Sequence, residues 1–236
     1  MQKITDIYNP RFIALMTLLL LFLFVTTAFA HGVSESDKVF IEQISGMQLI
    51  PYIYLGAKHM VTGYDHLLFL TGVIFFLYRM REIAAYVTLF AIGHSITLLY
   101  GVLSGTHVNP YIVDAIIGLS VVYKALDNIG GLKRVLGFQP NTKAAVLIFG
   151  FFHGFGLATK LQDFTLSKDG LVPNILAFNV GVEIGQLLAL AAILIAMSFW
   201  RRTATFKHQA FTANVVLMTA GFVLMGYQIT GYFNTI

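Results

Sequence analysis

The chain has 236 residues, of which 57% are hydrophobic and only 11% charged, with a formal net charge of +4. A soluble domain carries about 25% charged residues, so this composition indicates an integral membrane protein and leaves little room for a separate soluble enzyme. The chain has no cysteine, which excludes disulfides and thiolate metal sites, and its basic residues form no stripe of the kind that nucleic acid requires.

The amino terminus is predicted to be a cleavable signal peptide covering residues 1–30. Lys3 and Arg11 precede the apolar run 12–25, and residues 28–30 have the small-x-small pattern that signal peptidase recognises. The alternative is an uncleaved first transmembrane helix. Cleavage would leave His31 as the first residue, outside the cytoplasmic membrane, with an amine and an imidazole that offer two metal-binding nitrogens; a chance histidine at this position is the alternative.

The remaining chain, residues 31–236, is predicted to be one all-α domain, a polytopic membrane bundle of about six transmembrane helices. A transmembrane helix needs about 20 mostly apolar residues. Residues 47–62 are interrupted by Pro51 and Gly56, which predicts a half-helix or re-entrant segment. The predicted spans are Tyr64–Tyr78, Ile83–Leu103, Pro110–Leu126, Lys143–Leu161, Pro173–Trp200 and Phe211–Tyr232.

The distribution of positive charge predicts how the bundle is oriented. Cytoplasmic loops of membrane proteins carry an excess of lysine and arginine. With the mature amino terminus outside, most basic residues, such as Arg79, Lys133 and Arg202, fall at inner ends and loops. We therefore expect the mature amino terminus and the carboxyl terminus to lie outside the cytoplasmic membrane.

Ionisable and amide side chains recur inside these apolar spans. Burying an ionisable group at bilayer depth costs about 2.5 to 3.5 kcal/mol, so each such residue needs a partner and is a functional candidate. Imidazoles and carboxylates together indicate a cation site or a proton relay. The candidate metal ligands are His59, Asp65, His66, His94, His153 and Glu183, and the supporting candidates are Ser95, Asp114, Asn179 and Gln186.

His59 and His66 pose a geometric problem, because they lie seven residues apart in the sequence. On a continuous helix about 10.5 Å of rise would separate them, and the two imidazoles would not share one ion. We therefore expect either a helix break near Thr62 and Gly63 or successive stations along a path. Asp65 lies about 100° round a regular helix from His66 and is expected to orient a histidine elsewhere.

The fifth predicted span carries Asn179, Glu183 and Gln186 at i, i+4 and i+7. This spacing places all three on one helical face, which is expected to point at protein or water. For the two amides, the alternative is a stripe that joins helices through hydrogen bonds. The carboxylate favours a facing cation instead.

His94 and His153 are single histidines in apolar spans, each next to glycine. A lone buried histidine is more often a hydrogen-bonded structural residue than a ligand, and the glycines around His153 also fit close helix packing. Several intramembrane histidines together with acids favour a cation site or a proton relay. Asp114, near the outer end of the third span, is predicted to lie at the periphery of that site.

The segments that carry these residues resemble the HupE/UreJ family of bacterial membrane proteins. They include Gly56-x-x-His59, Gly63-x-Asp65-His66, Gly93-His94-Ser95, His153-Gly154 and Asn179-x-Gly181-Val182-Glu183. The family pattern HX5DH is met by His59, Asp65 and His66. A second pattern, FHG followed by a small residue and a glutamate, is met by residues 152–154, but position 158 is alanine where the acid would stand.

This resemblance implies a nickel or cobalt permease of hydrogenase and urease systems, located in a bacterial inner membrane. The chain looks closer to a second branch of the family, and Glu183 is our candidate for the missing carboxylate. Imidazole and carboxylate without thiolate also suit zinc and copper(II). The expected partners are the lipid bilayer and the metal ion, with no nucleic acid; homo-oligomerisation and a metalloenzyme-maturation partner stay open.

The predicted function is therefore a secondary permease or channel for a divalent transition-metal cation, nickel or cobalt, and not an enzyme. No P-loop pattern is present, which favours passive or gradient-coupled transport. One alternative is an intramembrane zinc-dependent hydrolase built from Ser95 beside His94 and the Asp65–His66 pair, although the sequence has no HExxH motif. Another is a membrane assembly factor that binds a metal without moving it.

Overall fold

The computed structural model describes residues 45–162 and 169–235. Over these ranges the chain forms eight helices and no strand. They are α1 Leu49–Thr62, α2 Tyr64–Ile74, α3 Met80–Ser104, α4 Pro110–Asn128, α5 Gly131–Leu136, α6 Thr142–Gln162, α7 Leu171–Arg201 and α8 Phe206–Thr235. The all-α prediction is confirmed for this part of the chain, while the predicted signal peptide and His31 lie outside the described residues.

Four of the helices, α3, α6, α7 and α8, are long and apolar enough to cross a membrane. The protein is therefore a membrane protein, and these helices lie where the second, fourth, fifth and sixth spans were predicted. The 19-residue α4 occupies the third predicted span. Asn109 caps its start, because its side chain accepts hydrogen bonds from the backbone N–H groups of Tyr111 and Ile112. The total of six crossings stays a prediction.

The first predicted span, Tyr64–Tyr78, is not one continuous transmembrane helix. Helix α2 has 11 residues and rises about 16 Å, well short of a hydrocarbon core of about 30 Å. Helix α1 directly precedes it, and Gly63 between them has φ −72° and ψ 102°, an extended conformation that interrupts the helix. The predicted break near Thr62 and Gly63 is confirmed, and α1 with α2 has the combined length of one interrupted crossing.

The helices pack mainly as three pairs, α1 with α7, α3 with α6, and α4 with α8. Glycines make the first two contacts close. A Cβ atom at Gly150 of α6 would lie 2.5 Å from the Phe90 carbonyl oxygen of α3, and one at Gly185 of α7 would lie 2.6 Å from the Ala57 carbonyl oxygen of α1. The expectation that glycines near His153 serve close packing is confirmed.

The carboxyl end of α2 is held by Arg201, at the end of α7. The guanidinium donates hydrogen bonds to the carbonyl oxygens of Ile74, Phe75 and Leu77, the last two at 2.8 and 3.0 Å. Carbonyls at the end of a helix have no partner within the helix, so this arginine supplies the missing donors. The half-helix that carries His66 is thereby fixed against α7.

Candidate metal site

The helix break at Gly63 brings His59 and His66 together. Their ring centroids lie 5.1 Å apart, with the ring planes at 75°. Two imidazoles that share one tetrahedral metal through bonds of about 2.1 Å have centroids about 5 Å apart. The spacing that a continuous helix would forbid is therefore reached by interrupting the helix between the two residues.

Asp65 orients its own neighbour, His66. The Nδ1 atom of His66 lies 3.0 Å from Asp65 Oδ1, and a carboxylate oxygen accepts, so Nδ1 carries the donated proton. The expectation that Asp65 serves a histidine elsewhere is wrong, because both side chains fold back over the start of α2. A Cβ at Gly63 would lie 2.5 Å from His66 Nδ1, so a side chain at this position would displace the His66 ring. The pairing leaves Nε2 of His66 as the lone-pair nitrogen, as in metal-binding histidines.

His153 lies on the other side of His66, with ring centroids 5.2 Å apart. Its Nδ1–H donates to the Phe149 carbonyl oxygen, one turn earlier in α6, at 2.8 Å. A carbonyl only accepts, so this bond fixes the tautomer and leaves Nε2 unprotonated in the neutral ring. Nε2 is buried and has no hydrogen-bond partner among the described residues.

His94 completes the cluster from α3. Its side chain is 1% exposed, and neither ring nitrogen has a hydrogen-bond partner of good geometry within the described ranges. It lies within electrostatic range of the other three histidines and beside the amide of Asn179. The close contact of α3 with α6 places it there, because a Cβ at Gly154 would collide with the His94 carbonyl oxygen.

Two of the three buried amides of α7, Asn179 and Gln186, have unused hydrogen-bonding atoms. Both polar atoms of Asn179 and both of Gln186 lack a partner in the described part of the chain. An unsatisfied buried polar atom costs about 1–3 kcal/mol, so such atoms indicate a place where water or an ion is bound. The alternative of an amide stripe that joins helices is not supported, since neither amide makes such a bond within these ranges.

Glu183 does not share the buried face. Its side chain is exposed, whereas Asn179 and Gln186 are buried, so the three residues do not lie on one buried face. At i+4 from Asn179, Glu183 is rotated by about 40° round the helix axis. The structure does not bring this carboxylate to the histidines.

We expect Glu183→Gln to change nickel affinity less than about threefold. The reason is the exposed position of this side chain, which makes none of the hydrogen bonds or ion pairs found among the described residues. Isothermal titration of the purified protein with nickel measures the affinity, and Asn179→Ala, at a buried position one turn earlier, is the matched comparison. A fall above tenfold in Glu183→Gln alone would restore the original assignment.

Asp114 is buried and forms an ion pair with Lys160. The lysine Nζ lies 3.0 Å from Oδ1 and 2.9 Å from Oδ2 of the carboxylate. Lys160 also lies within electrostatic range of His59, Asp65 and His153. The role of Asp114 at the periphery of the cluster stays a prediction, and a lysine already occupies its carboxylate. No feature of the sequence indicates that Lys160 pairs with Asp114.

Ser95 is not part of the cluster. It is half-buried, and it makes no hydrogen bond to any of the four histidines in the part of the chain that the structure describes. A serine nucleophile needs a base within hydrogen-bond reach. The arrangement that the hydrolase alternative requires at Ser95 and His94 is therefore not formed.

An aromatic layer, consisting of Phe69, Phe90 and Phe149, lies one helical turn from the histidines. The Phe69 ring lies 5.4 Å from Phe90 and 6.1 Å from Phe149, and the Phe90 ring lies 4.8 Å from His153. This layer is not predictable from the sequence, because apolar residues three or four positions from a histidine look like any helix core. In the predicted orientation the layer is on the cytoplasmic side of the cluster.

His59, His66 and His153 form two adjacent ring pairs that share His66, and His94 lies beyond them. Among the described residues, no group of three or more histidine, aspartate or glutamate side chains is arranged to hold one metal ion. Of the two arrangements left open by the sequence, the break at Gly63 is present. Its result is a row of neighbouring imidazole pairs.

A family model described as HupE / UreJ protein matches residues 35–236 of the chain. This range includes every residue of the cluster and all eight described helices. No curated protein and no solved structure matches the chain.

Proposed function

Because the chain belongs to the HupE/UreJ family, which is associated with nickel and cobalt transport, we propose that it is a permease for a divalent nickel or cobalt cation. The observation that carries the proposal is the group of buried imidazole nitrogens that lack hydrogen-bond partners in the described ranges: both in His94, and Nε2 in His153. Neutral imidazole is a good ligand for both ions. A divalent cation would supply the missing partner.

Transport would proceed through pairs of imidazoles. His66 is shared, since it lies 5.1 Å from His59 and 5.2 Å from His153 between ring centroids. An ion held by His59 and His66 would pass to His66 and His153 when His153 replaces His59 as a ligand. His94, beside Asn179, would be the next ligand along the path. Water and the amide oxygens complete the coordination at each stage. A row of incomplete sites suits conduction, because binding must be weak enough for the ion to leave.

The aromatic layer would close the path on the cytoplasmic side. Phe69 and Phe90 are almost completely buried, at 1% and 2% exposure. A hydrophobic constriction blocks an ion, because the ion cannot keep its hydration shell there. This conformation is closed toward the cytoplasm, and passage requires the rings to move.

The direct test is metal analysis of the purified protein, followed by uptake of radioactive nickel into proteoliposomes. We expect the protein to bind nickel or cobalt and to accumulate the ion in the vesicles. Binding without accumulation would favour the assembly-factor alternative. An absence of both would refute the permease and the metal site together.

We expect Phe90→Leu to raise the rate of nickel uptake several-fold while leaving nickel affinity unchanged. The smaller side chain keeps the layer apolar but opens the gap beside His153. The matched control is Phe75→Leu, because Phe75 is also 2% exposed but packs in a separate cluster with Phe206. Equal rates in the two variants, measured in the same vesicles, would show that the layer does not limit transport.

A further inference from the structure

We propose that Lys160 is a specificity-determining residue of the cation site, and that Asp114 is the counter-ion that neutralises it and keeps it away from Asp65. The proposal rests on the permease function inferred above. It assigns a role to a lysine that is not itself a metal ligand, and it explains why a buried carboxylate close to the cluster is not available to the ion.

The geometry of the pair is well defined. Lys160 Nζ donates to both oxygens of Asp114, at 3.0 and 2.9 Å, and the lysine and aspartate side chains are 23% and 9% exposed. Lys160 lies in the last turn of α6, at i+7 from His153 and on the same face. Gly156 lies between them, and a Cβ there would be 3.7 Å from Asp114 Oδ1, so glycine leaves room for the carboxylate.

The ammonium also acts on the cluster itself. His59, Asp65 and His153 all lie within its electrostatic range. Asp65 is a second carboxylate, 28% exposed, and its described partner is His66. Lys160 therefore interacts with two carboxylates. It binds Asp114 directly, and it acts at longer range on Asp65, which orients His66.

The electrostatic potential at the histidine cluster therefore depends on whether the ion pair between Lys160 and Asp114 is intact. A lysine in this position repels a divalent cation, and an aspartate in contact with it cancels most of that repulsion. Loss of Asp114 would expose the positive charge and free Lys160 to compete with His66 for Asp65. Loss of Lys160 would expose the negative charge of Asp114 and favour the cation. The two single changes thus have opposite effects.

The test uses the full chain in lipid nanodiscs and isothermal titration with nickel. We expect Asp114→Asn to weaken nickel binding at least roughly tenfold and Lys160→Gln to strengthen it roughly several-fold, from the sign and range of the Coulomb interaction. The double variant should return to within about threefold of the parent protein. Lys160→Arg, which keeps the charge and the two-oxygen contact, should bind as the parent does.

A purely structural pair would give a different pattern. Shifts in the same direction for both single variants, or a double variant worse than either, would overturn the proposal, as would Lys160→Arg behaving like Lys160→Gln. Silver, a monovalent ion that imidazole binds, provides a second readout, because its shift in log affinity should be about half that of nickel. If the parent protein binds no nickel, the permease proposal fails; if it binds nickel and the variants match it, only the role of Lys160 fails.

Discussion

Replacing His66 by alanine is expected to lower nickel affinity by at least about 100-fold and to abolish uptake, since this histidine belongs to both imidazole pairs. Its ring lies 5.1 Å from His59 and 5.2 Å from His153, centroid to centroid. Removing it leaves the two outer histidines without a shared neighbour. We expect a smaller effect at His59 and at His153, because each of them belongs to only one of the two pairs.

The measurement is isothermal titration with nickel, together with radiometal uptake into proteoliposomes. His208→Ala is the matched control, because His208 is exposed in the first turn of α8, outside the cluster. Asp65→Asn should give an intermediate loss of roughly 10- to 100-fold, the range found when a group that orients a metal-binding histidine is removed. Nickel binding within about threefold of the parent in His66→Ala would mean that the ion is bound elsewhere.

The features of this site that depend on residue spacing within one helix can be predicted from the sequence. The distance between His59 and His66 requires a break, and Gly63 is the residue between them that permits one. The family pattern then predicts which side chains meet. The position of His94 and His153 beside glycines likewise predicts close contact between their helices, and the structure pairs α3 with α6 through these glycines.

The rest depends on rotation about the helix axis and on which helices become neighbours. Glu183 is only about 40° from Asn179, yet that rotation moves it out of the buried face. Lys160 looks like an outer charge until α4 and α6 pack and place Asp114 against it. Asp65 turns back to His66 because the helix begins at that point, which the spacing of the two residues alone does not show. Such features are set by tertiary packing, and one sequence does not contain their geometry.

The close contact of α3 and α6 leads to the second large effect, that of Gly154→Ala. A Cβ at this position would collide with the His94 carbonyl oxygen and with Thr97 Oγ1. Thr97 Oγ1 already donates to the Phe151 carbonyl oxygen at 2.7 Å, so neither atom can simply turn aside. The helices must separate, which is expected to lower the free energy of unfolding by about 1–3 kcal/mol and to move His94 away from His153.

Thermal unfolding and nickel titration of the same sample measure both consequences, and Gly226→Ala provides the control. Gly226 is also a helical glycine, but a Cβ there would meet nothing within 4 Å. That substitution should leave nickel affinity unchanged and raise helix stability by about 0.5–1 kcal/mol, because alanine is the better helix former. If Gly154→Ala unfolds at the same temperature as Gly226→Ala and binds nickel as tightly, the contact between α3 and α6 does not position the histidines. If nickel affinity in Gly154→Ala falls by more than the loss of stability explains, then Gly154 maintains the spacing between the imidazoles of His94 and His153.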